Sequence, residues 1–231
     1  VHPTNPDLVA RADGSGAYVS SDGAASWALN TVPPCAHWGH TVHFDDEGNL
    51  YLGTDAGIFR CLASHTDYCA DGSWEPFGLN ESPPRYILAI RTAHPASTAG
   101  AYPDPTYWAG TSDGLYRGTG GPPPTWERVI GGDSDPVVVS DVEIVPAPGR
   151  GHCVYAALGF IAFQVGHRGG VRFTHTNGAS WQALTPGFGL HNSPVSDLQV
   201  HPGDSSVVWA TTWGRGTWRY DWGSALPPDC M

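Results

Sequence analysis

The sequence has 231 residues and a formal net charge of −11, and arginine supplies all 11 of its Lys/Arg side chains. A negative charge of this size excludes nucleic acid or an anionic membrane surface as the main partner, because either would repel the chain. No apolar run approaches the roughly 18 residues that a membrane-spanning helix needs. The chain begins with Val1 and has its only methionine at Met231, as expected after removal of a secretory signal. We therefore expect a secreted or periplasmic protein with one domain over 1–231 that does not span a membrane.

The five cysteines indicate the same oxidising compartment. Cys61 and Cys69 flank a short polar loop, which predicts a hairpin closed by a disulfide. Cys35 and Cys230 each lie shortly after a Pro-Pro pair, and we expect them to join the two ends of the chain. Cys153 is then the unpaired cysteine, buried in a strand. No Cys-x-x-Cys motif occurs, so a zinc ribbon or a thioredoxin-type site has no support.

Five copies of one unit follow each other along the chain, each a strand of small residues, a glycine and a second strand. The glycines recur at intervals of 41, 57, 56 and 46 residues. They are Gly16, Gly57, Gly114, Gly170 and Gly216. Four copies carry an earlier strand, and four carry a last strand that opens with Ser-Trp or Thr-Trp. Four-stranded units at this spacing are typical of propeller blades with loops of variable length.

Helical signals are nearly absent. No window of 11 residues has an apolar period of 3.6, and the 30 glycines and 21 prolines interrupt every candidate helix. The sequence predicts an all-β fold, a β-propeller of five blades with up to four antiparallel strands each. The predicted repeats are approximately 1–35, 36–82, 83–132, 133–190 and 191–231. The first repeat lacks its inner strand and the fifth lacks its outer strand, and tryptophans are expected to fill the wedges between blades.

Two turns give the clearest local prediction. Thr174–Trp181 contains Asn-Gly between two apolar runs, and Ser20–Trp27 is a near copy of it. Asn-Gly at this place predicts a hairpin, because both residues tolerate a positive φ. A hydroxyl residue opens each turn, and a tryptophan starts the returning strand.

These turns resemble the Asp-box, or BNR, repeat, whose pattern is Ser/Thr-x-Asp-x-Gly-x-Thr/Ser-Trp. Ala24 stands in place of the glycine in the first turn, and Thr176 in place of the aspartate in the second. The segment 208–219 is similar to the closing blade of sortilin-like and xyloglucanase-type propellers. The resemblance is specific for the blade and not for an activity. It implies that the turns are structural and lie away from the ligand site, through Ser20, Asp22, Trp27, Thr174, Asn177 and Trp181.

The resemblance also implies a ligand face. In propellers this face is formed by the loops that enter the inner strands and by those that join the second and third strands. Aromatic rings, arginine and polar groups on one such face suit a sugar, whose CH faces stack on rings while its hydroxyls bond polar groups. The candidate ligand-binding residues are His37, Trp38, His40, Arg85, Tyr86, His191, Trp213 and Arg215.

Histidines near residue 40 raise the question of a metal site. His37, His40 and His191 are the candidate ligands, since imidazole suits zinc, copper or nickel. Alternation along a strand sends His40 and His43 to opposite faces, so only one of them is expected to face a shared site. No cysteine or glutamate at ligand spacing accompanies them. We favour polar loop histidines and expect no metal and no cofactor.

Asp141 and Asp197 each follow a serine at the head of an inner strand. Two carboxylates near the ring axis could serve as an acid and a base, but bonding to backbone donors is the favoured interpretation. A sialidase triad of Arg85, Arg91 and Arg215 lacks its accompanying motif, and xyloglucanase-type hydrolysis uses a cleft between two propellers. The sequence therefore favours a non-enzymatic module that binds a glycan or a protein surface. A glycoside hydrolase and an assembly or structural factor of a larger complex are the alternatives.

Overall fold

The structure of the chain, a computed structural model, contains 18 strands in five antiparallel sheets. It describes residues 1–31, 38–64, 69, 73–81, 85–93, 106–132, 137–147, 151–159, 169–184 and 193–222. These ranges contain no helix, and accordingly no described helix could cross a bilayer. The predicted all-β architecture with five sheets of three or four strands is confirmed.

Each sheet is built from consecutive strands, so the chain fills one sheet before it enters the next. Sheet 1 contains β1 (Val9–Asp13), β2 (Gly16–Ser20) and β3 (Ala28–Thr31). Sheet 2 contains β4 (Gly39–Phe44), β5 (Leu50–Thr54), β6 (Gly57–Cys61) and β7 (Glu75–Gly78). Sheet 3 contains β8 (Ile87–Ala93), β9 (Thr106–Thr111), β10 (Gly114–Thr119) and β11 (Thr125–Ile130). Sheet 4 contains β12 (Val139–Ala147), β13 (Gly151–Leu158), β14 (Gly170–Thr174) and β15 (Gln182–Ala183), and sheet 5 contains β16 (Val195–His201), β17 (Asp204–Thr212) and β18 (Gly216–Asp221).

The recurring glycines open the third strand of each unit, and all five have a positive φ between 75° and 146°. Gly114 shows why no other residue fits: a Cβ there would lie 2.2 Å from the carbonyl oxygen of Ile130. In three of these turns a threonine hydroxyl donates to the glycine carbonyl over 2.8 to 2.9 Å. The recurring glycines therefore mark turns whose backbone needs a positive φ.

Four apolar clusters join sheet 1 to 2, 2 to 3, 3 to 4 and 4 to 5. One position of the second strand contributes a large aromatic to three of them. Tyr51, Trp108 and Tyr155 occupy this position by register, and each is covered by the next sheet with at most 1% exposure. The tryptophan at the start of the last strand packs against the preceding sheet instead. Trp181 of sheet 4, for example, contacts Trp108 of sheet 3 edge-on, with ring centroids 6.1 Å apart. The blades are thus held by interlocking aromatics.

The described sheets form an open series, whereas the sequence alone left ring closure undetermined. Among the described residues, no apolar cluster joins sheet 5 to sheet 1. Sheet 1 has three strands with the second-strand equivalent β1 at its edge, and sheet 5 ends at the third strand. Within the described part of the chain, the first inner strand and the last outer strand are thus absent, as the sequence predicts.

The disulfide between Cys61 and Cys69 is confirmed, with Cα atoms 5.5 Å apart across 8 residues. The expectation that Cys153 is the unpaired cysteine was wrong, because Cys153 is also disulfide-bonded. Cys35 and Cys230 both lie outside the described residues. Sequence spacing does not define disulfide connectivity, and the buried position of Cys153 in β13 hid its pairing.

The two turns that resemble the Asp-box have matching internal hydrogen bonds. The Asp22 carboxylate accepts from the Ser20 hydroxyl at 2.7 Å and from the amide and hydroxyl of Ser26 at 2.8 and 2.6 Å. Thr176 takes the place of Asp22 in the second turn, where its hydroxyl oxygen accepts from the amide of Ser180 at 2.9 Å. A hydroxyl can therefore replace the carboxylate, which explains how that turn departs from the pattern.

We expect Asp22→Ala to lower the midpoint of thermal unfolding at pH 7, because three donors lose their acceptor. These bonds lower the pKa of Asp22 to about 2. A depressed folded-state pKa gives stability that is present at neutral pH and is lost as the pH falls toward 2. The difference between the two proteins in thermal melts should therefore shrink with acidification. An equal difference at pH 7 and pH 2 would contradict this role.

Candidate ligand-binding face

One edge of each of the four sheets that have an inner strand, sheets 2 to 5, contains the same backbone hydrogen bond. A residue of the second-to-third-strand turn donates its amide to the carbonyl of a residue just before or at the start of the inner strand, over 2.9 to 3.3 Å. The pairs are Asp55 with Trp38, Ser112 with Tyr86, Gly159 with Val138, and Trp213 with Pro194. The two predicted sets of loops therefore meet at a common edge. We call the surface formed by these residues the loop face.

Three predicted ligand-binding residues expose large rings on the loop face. Trp38, Tyr86 and Trp213 are 60%, 47% and 65% exposed. Trp38 and Tyr86 directly precede the inner strands of sheets 2 and 3, where the corresponding residue of sheet 4, Val138, is buried. Trp213 lies instead in the turn after the second strand of sheet 5. Several exposed large rings on one face mark a candidate interaction surface.

Trp38 is held by contacts with its own turn and with the neighbouring sheet. Its amide donates to the Asp55 carboxylate at 3.3 Å. Its ring lies over Gly14, where a Cβ would come within 3.0 Å of the ring. Gly14 thus leaves the space that the indole ring occupies. One side of the ring is fixed while most of the residue stays exposed, as is useful for stacking on a ligand.

His40 contacts Tyr86 edge-on, with ring centroids 5.4 Å apart. His43 bonds Thr92 of the same neighbouring sheet at 2.9 Å. The predicted opposite orientation of these histidines was wrong, because β4 has a bulge between Gly39 and Thr41 that shifts the alternation. Burial lowers the pKa of His40 despite the opposing charge of Asp55. Neutral imidazole is therefore favoured beside Tyr86.

Arg85 is tied into the loop face by Asp113. Its Nε donates to the Asp113 carboxylate at 3.1 Å, and its guanidinium lies 5.3 Å from the ring centroid of Tyr116. Asp113 also accepts from Tyr116 at 3.1 Å and from Thr111 at 2.7 Å, and Arg128 lies 3.5 Å away. The pKa of Tyr116 is raised, first by burial and then by the charge of Asp113. Arg85 is thus a positioned donor that shares the Asp113 carboxylate with Arg128.

A groove of about 530 Å³ lies beside Arg85. Tyr116 and Trp126 form its aromatic wall, and Asn80 and Glu81 add polar groups. From the sequence, Trp126 was expected to fill the space between two blades, and no link between Trp126 and Arg85 was predicted. The only sequence signal for the groove is the Ser/Thr-Trp repeat, since the groove arises where two sheets meet.

The two aspartates proposed as weak catalytic candidates have different surroundings. Asp141 is buried, accepts from the Leu198 amide at 2.9 Å and pairs with Arg91 at 3.1 Å. Arg91 also pairs with Glu143 at 2.8 Å. Burial raises the pKa of Asp141 to about 6, although the charge of Arg91 opposes the rise. Asp197 is exposed. Asp141 therefore links sheets 3, 4 and 5, with both of its oxygens engaged.

The remaining predicted residues are only partly placed. Arg215 is exposed in the turn that carries Trp213. His37 and His191 lie outside the described residues. Within the ranges that the structure describes, no three histidine, cysteine, aspartate or glutamate side chains form a group that could hold a metal ion. Of the three candidate metal ligands, the structure therefore positions His40 alone.

No known protein-family profile matches the chain, and no curated protein matches it. Solved structures do match over nearly all of it. The extracellular domain of BT4673 from B. thetaiotaomicron has a TM-score of 0.60 at 13% identity, covering 94% of this chain and 26% of that one. YCF48 bound to D1 peptide has a TM-score of 0.60 at 12% identity, with coverage of 94% and 62%. An ancestral GH74 enzyme has a TM-score of 0.53 at 16% identity, with coverage of 98% and 36%.

These similarities establish the propeller-type fold and nothing finer. The chain spans less than two thirds of the length of each of these three structures. They include an extracellular domain, a peptide-bound protein and an enzyme, so the fold alone does not select an activity.

Proposed function

We propose that this chain is an extracytoplasmic propeller domain over 1–231 that binds a glycan on its loop face. The observation that supports the proposal is the exposure of three large rings on this face. Trp38 and Tyr86 directly precede the inner strands of sheets 2 and 3, and Trp213 lies in the turn after the second strand of sheet 5. The Cys61–Cys69 disulfide supports an oxidising compartment.

The chemistry of the loop face favours a neutral or cationic sugar over an anionic one. Its rings offer stacking surfaces for the CH faces of a pyranose, and the carboxylates and Arg85 offer hydrogen bonds to hydroxyls. Arg85 is already paired with Asp113 at 3.1 Å, and the chain as a whole carries a formal net charge of −11. An anionic glycan would therefore be repelled.

A polypeptide is the second candidate ligand. It is favoured by the similarity in fold to YCF48, a propeller-type protein that was solved with a bound peptide. Exposed tryptophan and tyrosine are also common anchors of protein interfaces. The same three rings would then contact apolar side chains of the partner, as in an assembly factor.

Glycoside hydrolysis has less support from the geometry. A general acid must reach the glycosidic oxygen, whereas Asp141 is buried and its oxygens are engaged by Arg91 and the Leu198 amide. We therefore assign Asp141 a role in holding the sheets together. The similarity to an ancestral GH74 enzyme is one of fold.

The test is a binding survey against a glycan array and a peptide array, followed by titration calorimetry on the best ligand. We expect a neutral or cationic glycan to bind, and Trp38→Ala and Trp213→Ala each to weaken binding about ten-fold, because each removes a stacking surface. Trp27→Ala is the matched control, since it removes a tryptophan from an outer turn and should leave the affinity unchanged.

Two results would decide against the glycan. Binding of a peptide alone, with the same sensitivity to Trp38→Ala, would select the second candidate. Equal affinity of wild type, Trp38→Ala and Trp213→Ala for the best ligand would show that the loop face is not the binding surface.

A further inference from the structure

The open series of sheets leaves two large faces uncovered among the described residues. We call the face of a sheet that packs on the following sheet its forward face, and the face that packs on the preceding sheet its backward face. Each of the four internal junctions joins the forward face of one sheet to the backward face of the next. Sheet 5 keeps its forward face and sheet 1 keeps its backward face, so the two remaining faces are of opposite kinds. The four internal junctions therefore show that a forward face and a backward face of this chain pack against each other.

The forward face of sheet 5 is centred on Trp209. Register places Trp209 between Gln199 and Arg219, in the position that Tyr51, Trp108 and Tyr155 occupy in sheets 2, 3 and 4. Those three rings are at most 1% exposed, whereas Trp209 is 38% exposed. The Arg219 guanidinium lies over it at 5.9 Å from the ring centroid. Trp209 thus occupies the position whose aromatic ring is buried between two sheets elsewhere, but no described sheet covers it.

The backward face of sheet 1 carries the complementary position. Arg11 pairs in register with Tyr18, as Leu52 pairs with Phe59 in sheet 2. Leu52 and Phe59 are buried against sheet 1, whereas Arg11 is exposed and lies 4.6 Å from the ring centroid of Tyr18. In sheet 2 the residues at this position are therefore covered by the preceding sheet, whereas in sheet 1 no preceding sheet is present among the described residues.

We propose that a second copy of this chain docks its sheet 1 onto sheet 5, head to tail. A second copy is the occupant that the observations favour, because this chain itself carries both kinds of face. The charges are compatible, since Arg11 stands on one face and the exposed Asp197 on the other, while Arg219 beside Trp209 is paired with Asp221 at 2.8 Å. A head-to-tail contact adds sheets in the same sense and either closes a ring or extends a filament.

The experiment measures mass by sedimentation velocity and light scattering over a wide range of protein concentration. We expect the wild type to associate reversibly, to twice the monomer mass or more. Trp209→Glu, on one face, and Tyr18→Glu, on the other, should each weaken self-association at least about ten-fold. Trp213→Glu is the matched control, because it changes an exposed tryptophan of the loop face and should associate as the wild type does.

Mixing the two interface variants tests the direction of the contact. Trp209→Glu keeps an intact sheet 1 and Tyr18→Glu keeps an intact sheet 5, so an equimolar mixture should form a 1:1 complex that neither forms alone. Thr217→Arg, at an exposed position of the sheet 5 face, serves if Trp209→Glu melts early. A wild type that stays monomeric at all concentrations, or a mixture that stays monomeric, would overturn the proposal.

Discussion

Gly78→Ala is expected to destabilise the fold by about 4 kcal/mol. Gly78 ends β7 with a φ of 140°, a conformation that essentially only glycine adopts. A Cβ at this position would also lie 2.1 Å from Nε1 of Trp126, on the neighbouring sheet. The indole ring cannot move aside, because it packs in the wedge and donates to the carbonyl of Phe77 at 3.4 Å. Urea unfolding followed by tryptophan fluorescence measures the change.

Gly120→Ala is the matched control for this substitution. Gly120 also has a positive φ, of 87°, but no atom lies within 4 Å of a Cβ built there. The backbone cost alone should therefore appear, at about 1 kcal/mol. The excess at Gly78 then measures the contact with Trp126. Equal losses in the two variants would mean that the wedge between sheets 2 and 3 adapts easily.

Arg91→Gln is expected to cost about 3 kcal/mol at pH 7, because removing the cation leaves the buried Asp141 without its partner. Arg91 lies between the carboxylates of Asp141 and Glu143 at 3.1 and 2.8 Å. Its loss affects the junction of sheets 3 and 4 and, through the Leu198 amide, sheet 5. Unfolding free energies of wild type and variant at several pH values measure the effect.

The pH dependence of this loss gives a second check. The pKa of Asp141 is raised to about 6 from an ordinary value of 3.8. The folded state therefore takes up a proton as the pH falls from about 6 toward 4, while the unfolded chain does so only near 4. Because the folded state binds the extra proton, the contribution of Asp141 to the free energy of unfolding rises as the pH falls over that interval. The variant should lose less stability at pH 5 than at pH 7, because neutral Asp141 no longer needs the cation.

Asp141→Asn isolates this group. The amide keeps an oxygen acceptor for Leu198 and cannot titrate, so the stability of this variant should depend less on pH between 4 and 7 than that of the wild type. A loss in Arg91→Gln that is the same at pH 5 and pH 7 would contradict the account of Asp141.

The sheets could be predicted from the sequence because their signals are local. Gly57 and Gly114 mark turns that need a positive φ, and the tryptophan after Ser or Thr marks the last strand. The bulge beside His40 could not be predicted, since it depends on the register with β5. The disulfide of Cys153 was also missed, because cysteine spacing alone does not define connectivity.

The candidate site was predictable in outline. Trp38, Tyr86 and Trp213 reach one face because each follows or precedes a strand end that recurs in every unit. The convergence of Arg85, Tyr116 and Thr111 on Asp113 was not, because it requires three-dimensional contact between a turn and the loop that enters the inner strand of the same sheet.

The open series of sheets has a consequence for the order of unfolding. Among the residues that the structure describes, sheets 2, 3 and 4 each contact two neighbours through apolar clusters, whereas sheets 1 and 5 each contact one. A chain built in this way loses structure from its ends, as repeat proteins do. Native-state hydrogen exchange should therefore be slowest in β9 and β13 and faster in β1 and β17. Partial opening of the terminal sheets then becomes accessible while the central three remain folded.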